Sequence, residues 1–343
     1  MNPEFKEDTM RTKGQGDRFK RMLLVGCAMT AIVAVAAVTT AGAQDAFPSK
    51  QVEIVVPFAP GGSLDIGTRL FAETFAKELK VPVVIKNMAG AGGLTGATAF
   101  FNTKPDGYTI LAASPAAIIS NVMLSKNPSF DPRKDFLPVG YLGASPISMV
   151  VGKNSPFKTF NDFLQYAKAN PGKLQGGVSS LGGETHIMFM SILKDTKIQS
   201  KLIPYTKSAD LSMALLGGHL DWKTSSLVSN MPYIKSGDMR PLVLTSKWQD
   251  LPNVPTGPEI GLPSASVDVW LGYFVHAKTP KPVYDKLVAA MKNTFKDAGM
   301  KDKLFKAGWA ASYKDPQEFG KIVSKNWDIF DDILRETGMM EKK

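Results

Sequence analysis

The stretch IVVPFAPGGSLD, residues 54–65, places a strand, a tight loop and a helix start in direct succession. The apolar run Val52–Val56 predicts a buried strand, and the pattern of Asp65–Glu78 predicts an amphipathic helix. Between them lie prolines, glycines and a serine, which favour turns and helix starts. Because a strand followed at once by a helix is the building unit of α/β proteins, this stretch predicts an α/β fold.

The same alternation continues along the chain. Further strands are predicted at Val81–Ile85, Thr109–Ala113, Ile147–Val151, Leu174–Val178, Lys201–Pro204 and Leu220–Lys223. Further helices are predicted at Gly93–Phe101, Phe160–Ala169, Glu184–Lys194 and Ala209–Leu216, with a mainly helical tail from Pro282 to Leu334. Strand–helix alternation favours parallel sheets. A chain of about 300 residues exceeds what one compact core holds, so two lobes are expected.

Three loops that precede helices are rich in glycine and hydroxyl side chains, at residues 57–65, 87–93 and 179–186. In open parallel sheets, ligands lie at the carboxyl ends of strands, beside helix N-termini. The unpaired N–H groups of a helix start favour an anion. These loops therefore predict an anion site, although turning the chain and capping helices would explain each loop taken alone.

The N-terminal 43 residues have the order of a secretory signal peptide. Arg18, Lys20 and Arg21 precede the uncharged stretch Met22–Val38, and the small residues Ala41–Ala43 follow it. This order predicts export to the periplasm with cleavage near Ala43. An uncleaved anchor, or lipidation at Cys27, is the alternative. Because Cys27 is the only cysteine, the cleaved chain would contain none, as suits an oxidising compartment.

Composition and charge exclude several classes of function. The net charge is +10, and the first 43 residues hold six basic and four acidic residues, which leaves +8 for the remainder. Nucleic-acid-binding proteins typically carry a cluster of basic residues with interleaved aromatic residues, and this sequence contains no such cluster. Three widely separated histidines argue against a histidine-rich metal site, and the sequence contains neither a phosphate-binding P-loop nor a nucleophile elbow. We expect no catalysis, no metal and no cofactor.

The loops, taken together with motifs between them, resemble the Bug, or TctC-type, substrate-binding proteins of tripartite tricarboxylate transporters. The resemblance is carried in order by residues 47–50, 54–65, 87–93, 105–109, 130–136, 169–174, 183–186, 204–205, 215–218 and 251–256. It implies a two-lobed periplasmic-binding-protein fold of type II, with two crossing strands and a small organic carboxylate in the cleft. A monomer that delivers its ligand to a membrane permease is implied; a membrane sensor with the same fold is the alternative partner.

The lobes and the site follow from this resemblance. Crossings are expected at Gly143–Ile147 and Asp268–Phe274, so that lobe one comprises 44–145 plus 269–343 and lobe two comprises 146–268. The expected ligand-binding residues are Phe58, Ala59, Gly61, Gly62, Ser63, Asp65, Ala91, Gly92, Ser114, Ser179, Ser180, Gly183, Thr185, His186, Tyr205 and Ser225.

For several side chains in or near these loops, a role apart from direct ligand binding is also expected. Asp65 would instead fix its loop, and His186 would be a hydrogen-bonded packing residue. Glu184 departs from the family pattern; we expect it to face solvent, although in the cleft it would favour an amine on the ligand. Lys223 is expected as an extra cation near the cleft. Trp270 and Phe274 are expected to pack in the core.

Overall fold

The computed structural model describes residues 47–340, so the signal segment predicted at 1–43 lies outside the described residues. The strands are β1 (Val52–Val56), β2 (Val83–Asn87), β3 (Thr109–Ala113), β4 (Phe136–Ser145), β5 (Ile147–Gly152), β6 (Gln175–Val178), β7 (Lys201–Pro204), β8 (Trp222–Ser226), β9 (Met239–Leu244), β10 (Val269–His276) and β11 (Ala310–Lys314). The helices are α1 (Ser63–Leu79), α2 (Leu94–Phe101), α3 (Asn121–Leu124), α4 (Pro132–Asp135), α5 (Phe160–Ala169), α6 (Glu184–Thr196), α7 (Ser208–Leu216), α8 (Leu227–Lys235), α9 (Lys281–Thr294), α10 (Ala298–Lys306) and α11 (Pro316–Glu336). Within 47–340, no helix is both long enough and apolar enough to span a bilayer.

The strands form two sheets, which confirms the two-lobed α/β architecture. The first sheet has the order β11-β4-β10-β3-β1-β2, and the second has the order β7-β6-β8-β5-β9. Strands β1, β2 and β3 are parallel, as are β6, β7 and β8. The expectation of parallel sheets was wrong in part, because β10 runs antiparallel between β3 and β4, and β5 runs antiparallel between β8 and β9. Strands β5 and β10 lie next to the points where the chain passes between the sheets, and a third antiparallel strand, β11, pairs with β4 at the edge of the first sheet.

The chain passes between the sheets at two adjacent points. Strand β4 ends at Ser145 in the first sheet, and β5 begins at Ile147 in the second, with only Pro146 between them. The chain leaves β9 at Leu244 and re-enters the first sheet at Val269, which pairs with Ser145. The N–H of Ile147 donates to Thr245 Oγ1 at 2.8 Å, so the outward and return segments are hydrogen-bonded to each other.

Each sheet has its own aromatic core. In the first, the ring of Phe319 contacts Trp270 and Phe274, with ring centroids 5.2 and 5.0 Å apart. Gly272 makes this packing possible, because a Cβ there would lie 2.0 Å from Phe319 Cζ. In the second, Phe189 stacks on Trp222 with centroids 4.4 Å apart. The two lobes also touch away from the crossings, since Trp248 stacks on Phe305 with ring centroids 4.8 Å apart. Trp270 and Phe274 are core residues.

Two predicted strands are shifted, and two strands, β9 and β11, were missed. Strand β2 begins two residues after the predicted start, beyond Pro82, since proline cannot donate to a ladder. Strand β8 runs through Ser226 and not only to Lys223, so three hydroxyl residues belong to it. The tail expected to be mainly helical contains β11, which pairs with β4 at the edge of the first sheet.

Candidate functional site

The N-terminal ends of four helices meet at a cavity between residues of the two sheets, which we call the inner cavity. Its volume is about 50 Å³, room for a few water molecules or part of a small ligand. The helix ends contribute Gly62, Ser63 and Leu64 (α1), Glu184 and Thr185 (α6), Ser208 (α7), and Ser226 and Ser229 (α8). The other lining residues are Phe58, Ala59, Ser114, Ile147, Ser179, Ser180, Thr206 and Val269.

This lining favours an anion without using a cationic side chain. Among the described residues that line the inner cavity, none is lysine, arginine or histidine. Helix starts supply N–H groups and the positive end of the helix dipole instead. The buried hydroxyls of Ser180 and Ser229 have no hydrogen-bond partner within the described protein, and the Ser114 hydroxyl lies against the Glu184 carboxyl. Because buried polar groups are normally paired, the hydroxyls of Ser180 and Ser229 are candidate ligand contacts.

A wider cavity of about 510 Å³, the outer cavity, shares five lining residues with the inner one. The shared residues are Phe58, Ala59, Ser179, Ser180 and Thr206. The outer cavity is also lined by the loop Gly90–Gly93 and by Tyr205, which do not line the inner cavity. The two cavities thus form one cleft, with the narrow, polar part innermost.

The glycines of the 90–93 loop are required by its backbone. Gly90, Gly92 and Gly93 have φ values of 148, 62 and 102°, in the region that side chains disfavour. A Cβ on Gly92 would lie 2.3 Å from Asn121 Nδ2, and Asn121 Nδ2 donates to Gly92 O at 3.1 Å. Asn121 therefore holds the loop against the start of a π-helical segment, Ala116–Ser120, beside the cleft.

The loop that opens α1 is held by Asp65, which lines neither cavity. The Asp65 carboxylate is 3% exposed and accepts hydrogen bonds from the Gly61 N–H, from Arg69 Nε and from Asn87 Nδ2, at 2.9 to 3.0 Å. Burial raises its pKa, but the hydrogen bonds from Arg69, Gly61 and Asn87 outweigh burial, so the pKa lies below its ordinary value. Asp65 fixes the loop that presents Gly62 and Ser63.

In the loop that opens α6, His186 likewise acts behind the cavity. The Gly182 N–H donates to His186 Nδ1 at 3.1 Å, and burial lowers the pKa of the imidazole. Ser179 Oγ lies 3.5 Å from Thr185 Oγ1, and Thr224 Oγ1 donates to Thr185 O at 2.7 Å. The two neighbouring hydroxyls of Ser179 and Thr185 are thereby placed on the inner cavity, while His186 holds the turn.

Glu184 corrects the expectation of a solvent-facing acid. It is 4% exposed, it lines the inner cavity, and its Oε1 accepts the Ala116 N–H at 3.0 Å. Burial raises the pKa of this carboxyl to about 7, against smaller effects of backbone N–H groups and of the nearby Ser114 hydroxyl. A sequence does not show which face of a first helical turn is covered, so the burial of Glu184 could not be predicted.

Lys223 and Ser225, expected near the cleft, lie inside the second sheet and line neither cavity. Both are 0% exposed. Lys223 Nζ donates to Ser212 Oγ at 2.6 Å, and burial lowers its pKa to about 7. Helices cover both faces of this sheet, so a lysine whose side chain would be exposed in a one-sided sheet is buried here.

The structure brings most, but not all, of the expected site residues together. The inner or outer cavity is lined by Phe58, Ala59, Gly62, Ser63, Ala91, Gly92, Ser114, Ser179, Ser180, Thr185 and Tyr205. The residues that line neither are Gly61, Asp65, Gly183, His186 and Ser225. Sequence reasoning missed Ser208, Ser226 and Ser229, although hydroxyl residues at the starts of α7 and α8 were a usable signal. Within 47–340, no cluster of three metal-ligating side chains is found.

Two α/β lobes joined by paired crossings, with helix N-termini converging on a cleft between them, define a solute-binding protein of the periplasmic type. Residues 68–339 match the family model described as the tripartite tricarboxylate transporter family receptor, TctC. The chain belongs to this family. The family and its solved members are substrate-binding proteins and not enzymes, in agreement with the expectation of a non-catalytic chain.

Three similar proteins illustrate the relationship. The protein BugT of Bordetella pertussis is 28% identical over 89% of this chain and 95% of its own length. The structure of Rpa4515 of R. palustris with adipate is 26% identical with a TM-score of 0.81, covering 85% of this chain and 98% of the other. MatC of Rhodopseudomonas palustris with bound malate is 28% identical with a TM-score of 0.77, covering 84% and 100%.

Proposed function

We propose that this protein captures a small organic carboxylate in the cleft and delivers it to the permease of a tripartite tricarboxylate-type transporter. The observation that carries the proposal is the inner cavity, where four helix N-termini and the unpaired hydroxyls of Ser180 and Ser229 converge without a basic side chain among the described residues. Helix starts and hydroxyls form charge-assisted hydrogen bonds with a carboxylate. The malate and adipate bound to the solved relatives support this ligand class.

The same proposal includes the setting in which the protein works. Residues 1–43 direct export and are removed near Ala43, and the protein acts as a periplasmic monomer. Lobe one comprises 44–145 plus 269–343, and lobe two comprises 146–268. The strand contents of the two sheets support these boundaries, because β4 ends at Ser145 and β10 begins at Val269.

Closure of the lobes around the ligand follows from where its contacts lie. Gly62, Ser63 and Ser114 come from the segments around the first sheet, and Ser180, Thr185 and Ser229 come from those around the second. Neither set alone surrounds a small anion. The crossings at Pro146 and between Leu244 and Val269 are the segments about which the lobes would rotate.

A screen of small acids should show binding without turnover. We expect malate, adipate, succinate or glutarate to raise the melting temperature of the purified chain 44–343. At a concentration 100 times its Kd, a ligand adds about 2.7 kcal/mol to the free energy of unfolding. Calorimetry then gives the Kd, and chromatography of the recovered ligand checks that it is unchanged.

Neutral sugars and divalent cations serve as the comparison set in the same screen. Stabilisation by sugars or by metal ions alone would overturn the carboxylate proposal, since the cavity would then not select a negatively charged ligand. A converted product in the recovered ligand would contradict the expected absence of catalysis.

Ser180 offers a test of the inner cavity with a control in the same lobe. Ser180, in the loop after β6, and Ser225, in β8, both have buried, unpaired hydroxyls, but only Ser180 lines the cavity. Ser180→Ala should weaken binding of the best acid by about 1–3 kcal/mol, or roughly five- to 150-fold, because a ligand oxygen loses its donor. Ser225→Ala should leave the Kd unchanged in calorimetry. Equal losses in both variants would assign the effect to the lobe as a whole and not to the cavity.

A further inference from the structure

Glu184 is the ionisable side chain of the inner cavity. The carboxylate ligand proposed above does not explain why an acidic side chain lines the site of a negatively charged ligand. Among the described lining residues, no other side chain is acidic or basic. Glu184 forms no ion pair with a lysine or arginine anywhere in residues 47–340. A ligand carboxylate in a cavity of about 50 Å³ would therefore lie close to a second carboxyl group.

Other charged groups on the elements around Glu184 are already engaged elsewhere. On α6, His186 accepts the Gly182 N–H, Lys194 pairs with Glu336, and Asp195 accepts from Ser264. On β8, Lys223 bonds to Ser212. Asp65, behind the α1 loop, is paired with Arg69. Strands β5 and β6 and the segment Ala116–Ser120 contain no ionisable residue.

Two arrangements would relieve the repulsion between the carboxyl groups: a proton on Glu184 or an ammonium group on the ligand. The cavity decides between them. Four helix N-termini open onto it, each with the positive end of a helix dipole, so an ammonium group would face an unfavourable potential. A neutral carboxylic acid, by contrast, keeps Oε1 as the acceptor for the Ala116 N–H and gains an O–H donor.

We propose that Glu184 binds the ligand carboxylate as a neutral acid, donating a hydrogen bond to it, so that binding takes up a proton wherever Glu184 is ionised in the free protein. This inference rests on the proposed function and names the chemistry of that same site. Two carboxyl groups that share one proton in a buried site are favourable where two carboxylates are not. Since burial already raises the pKa of Glu184 to about 7 in the ligand-free protein, protonating this carboxyl requires little free energy near neutral pH.

The sign of the pH dependence follows from this scheme. Binding of an anion raises the pKa of Glu184 further, so the complex binds more protons than the free protein above pH about 7. Affinity should be constant at lower pH and fall by up to about tenfold per pH unit above that value, until the pKa of the complex is reached. A ligand ammonium group would produce the opposite trend, with proton release.

Calorimetry on the wild-type chain 44–343 tests the inference without any variant. Malate, adipate, succinate, glutarate, aspartate and glutamate are titrated between about pH 6.5 and 9, in buffers that differ in ionisation enthalpy. The amine-free acids are fully ionised throughout, so their own titration does not contribute. We expect proton uptake and a roughly ten- to hundredfold loss of affinity for the acid that binds best. Flat affinity, proton release, or tighter binding of aspartate or glutamate than of succinate or glutarate would overturn the inference.

Glu184→Gln then assigns the effect to this residue, because its amide offers a carbonyl oxygen to Ala116 and an N–H to the ligand. Its affinity should stay within about threefold of the low-pH wild-type value across the whole range. Glu78→Gln, an exposed glutamate on α1, should keep the wild-type pH profile. A tenfold loss at about pH 6.5 in Glu184→Gln, with an unchanged melting temperature, would overturn the inference and leave the carboxylate function standing. If no acid binds to the wild type, the proposed function fails and the inference fails with it.

Discussion

Replacing Lys223 with methionine is expected to stabilise the protein near neutral pH by about 2–4 kcal/mol. The lysine is fully buried, its pKa is lowered to about 7, and Ser212 is its hydrogen-bond partner. In the unfolded chain a lysine keeps its ordinary pKa, so the unfolded state binds more protons between about pH 7 and 10.5. Wild-type stability should therefore rise as pH increases through this window, by about 1.4 kcal/mol per pH unit. Methionine has a similar length and no charge to bury, so it should remove this dependence.

Urea unfolding followed by circular dichroism at about pH 7 and about pH 9 measures both effects. Lys201→Met, an exposed position in β7 of the same sheet, is the matched control and should change neither the stability nor its pH dependence by more than about 0.5 kcal/mol. A less stable Lys223→Met, or wild-type stability that is equal at the two pH values, would contradict the prediction. Either result would mean that the ammonium group is solvated in the folded protein.

Replacing Asp65 with alanine is expected to cost about 2–4 kcal/mol of stability and most of the ligand affinity. The substitution leaves the Gly61 N–H without its acceptor, removes one of the two acceptors of Asn87 Nδ2 and breaks the ion pair of Arg69. Because the Arg69 side chain is 52% exposed, most of the cost comes from the part-buried hydrogen bonds of Gly61 and Asn87 and not from the ion pair. Affinity falls because the loop that presents Gly62 and Ser63 loses its anchor.

The pH dependence of the Asp65 contribution has the opposite sense to that of Lys223. The folded pKa of Asp65 is lowered, so its contribution is complete above the unfolded value of 3.8 and is lost as pH falls through the folded pKa. Asp65→Ala should therefore lose less stability on acidification than the wild type does. Asp250→Ala, at an exposed aspartate without a resolved contact, serves as the control in the same unfolding series. Equal acid sensitivity of all three proteins would assign the acid lability to other carboxylates.

The architecture was accessible from sequence because local patterns determine it. Apolar runs at β1, β3 and β5 and the glycine-rich loops after β1, β2 and β6 were recognisable, and the parallel strands followed from their alternation with helices. The antiparallel strand β10 was not, since direction depends on where the chain returns after a long excursion through the second sheet. Strand β11 was missed because its pairing with β4 spans more than 160 residues and its own sequence, AASYK, is only weakly apolar.

In the candidate site, too, local sequence patterns predicted some residues, while the positions of others depend on tertiary packing. Residues that line the cavity with loop backbone or hydroxyl groups, such as Gly62, Ser63 and Ser179, were predictable because helix starts have a sequence signature. The burial of Glu184 and Lys223 was not, because it depends on which elements cover them from the opposite side. Asp65 and His186 were expected among the ligand-binding residues, with a structural role as the alternative; the structure places both behind the cavity, where they accept hydrogen bonds from the N–H groups of Gly61 and Gly182.

Because the inner cavity is built from helix starts, its ligand specificity can change by substitution of a few side chains. Among side-chain substitutions only one to proline removes a backbone N–H, so the anion-binding character of the helix starts is retained as long as the architecture is retained. Substitutions at the serines that line the cavity, or at position 184, would change affinity and selectivity while leaving those N–H groups in place. A duplicated gene could thus come to encode a protein for a different ligand through a few substitutions in the cavity lining, while the helix N-termini stay in place.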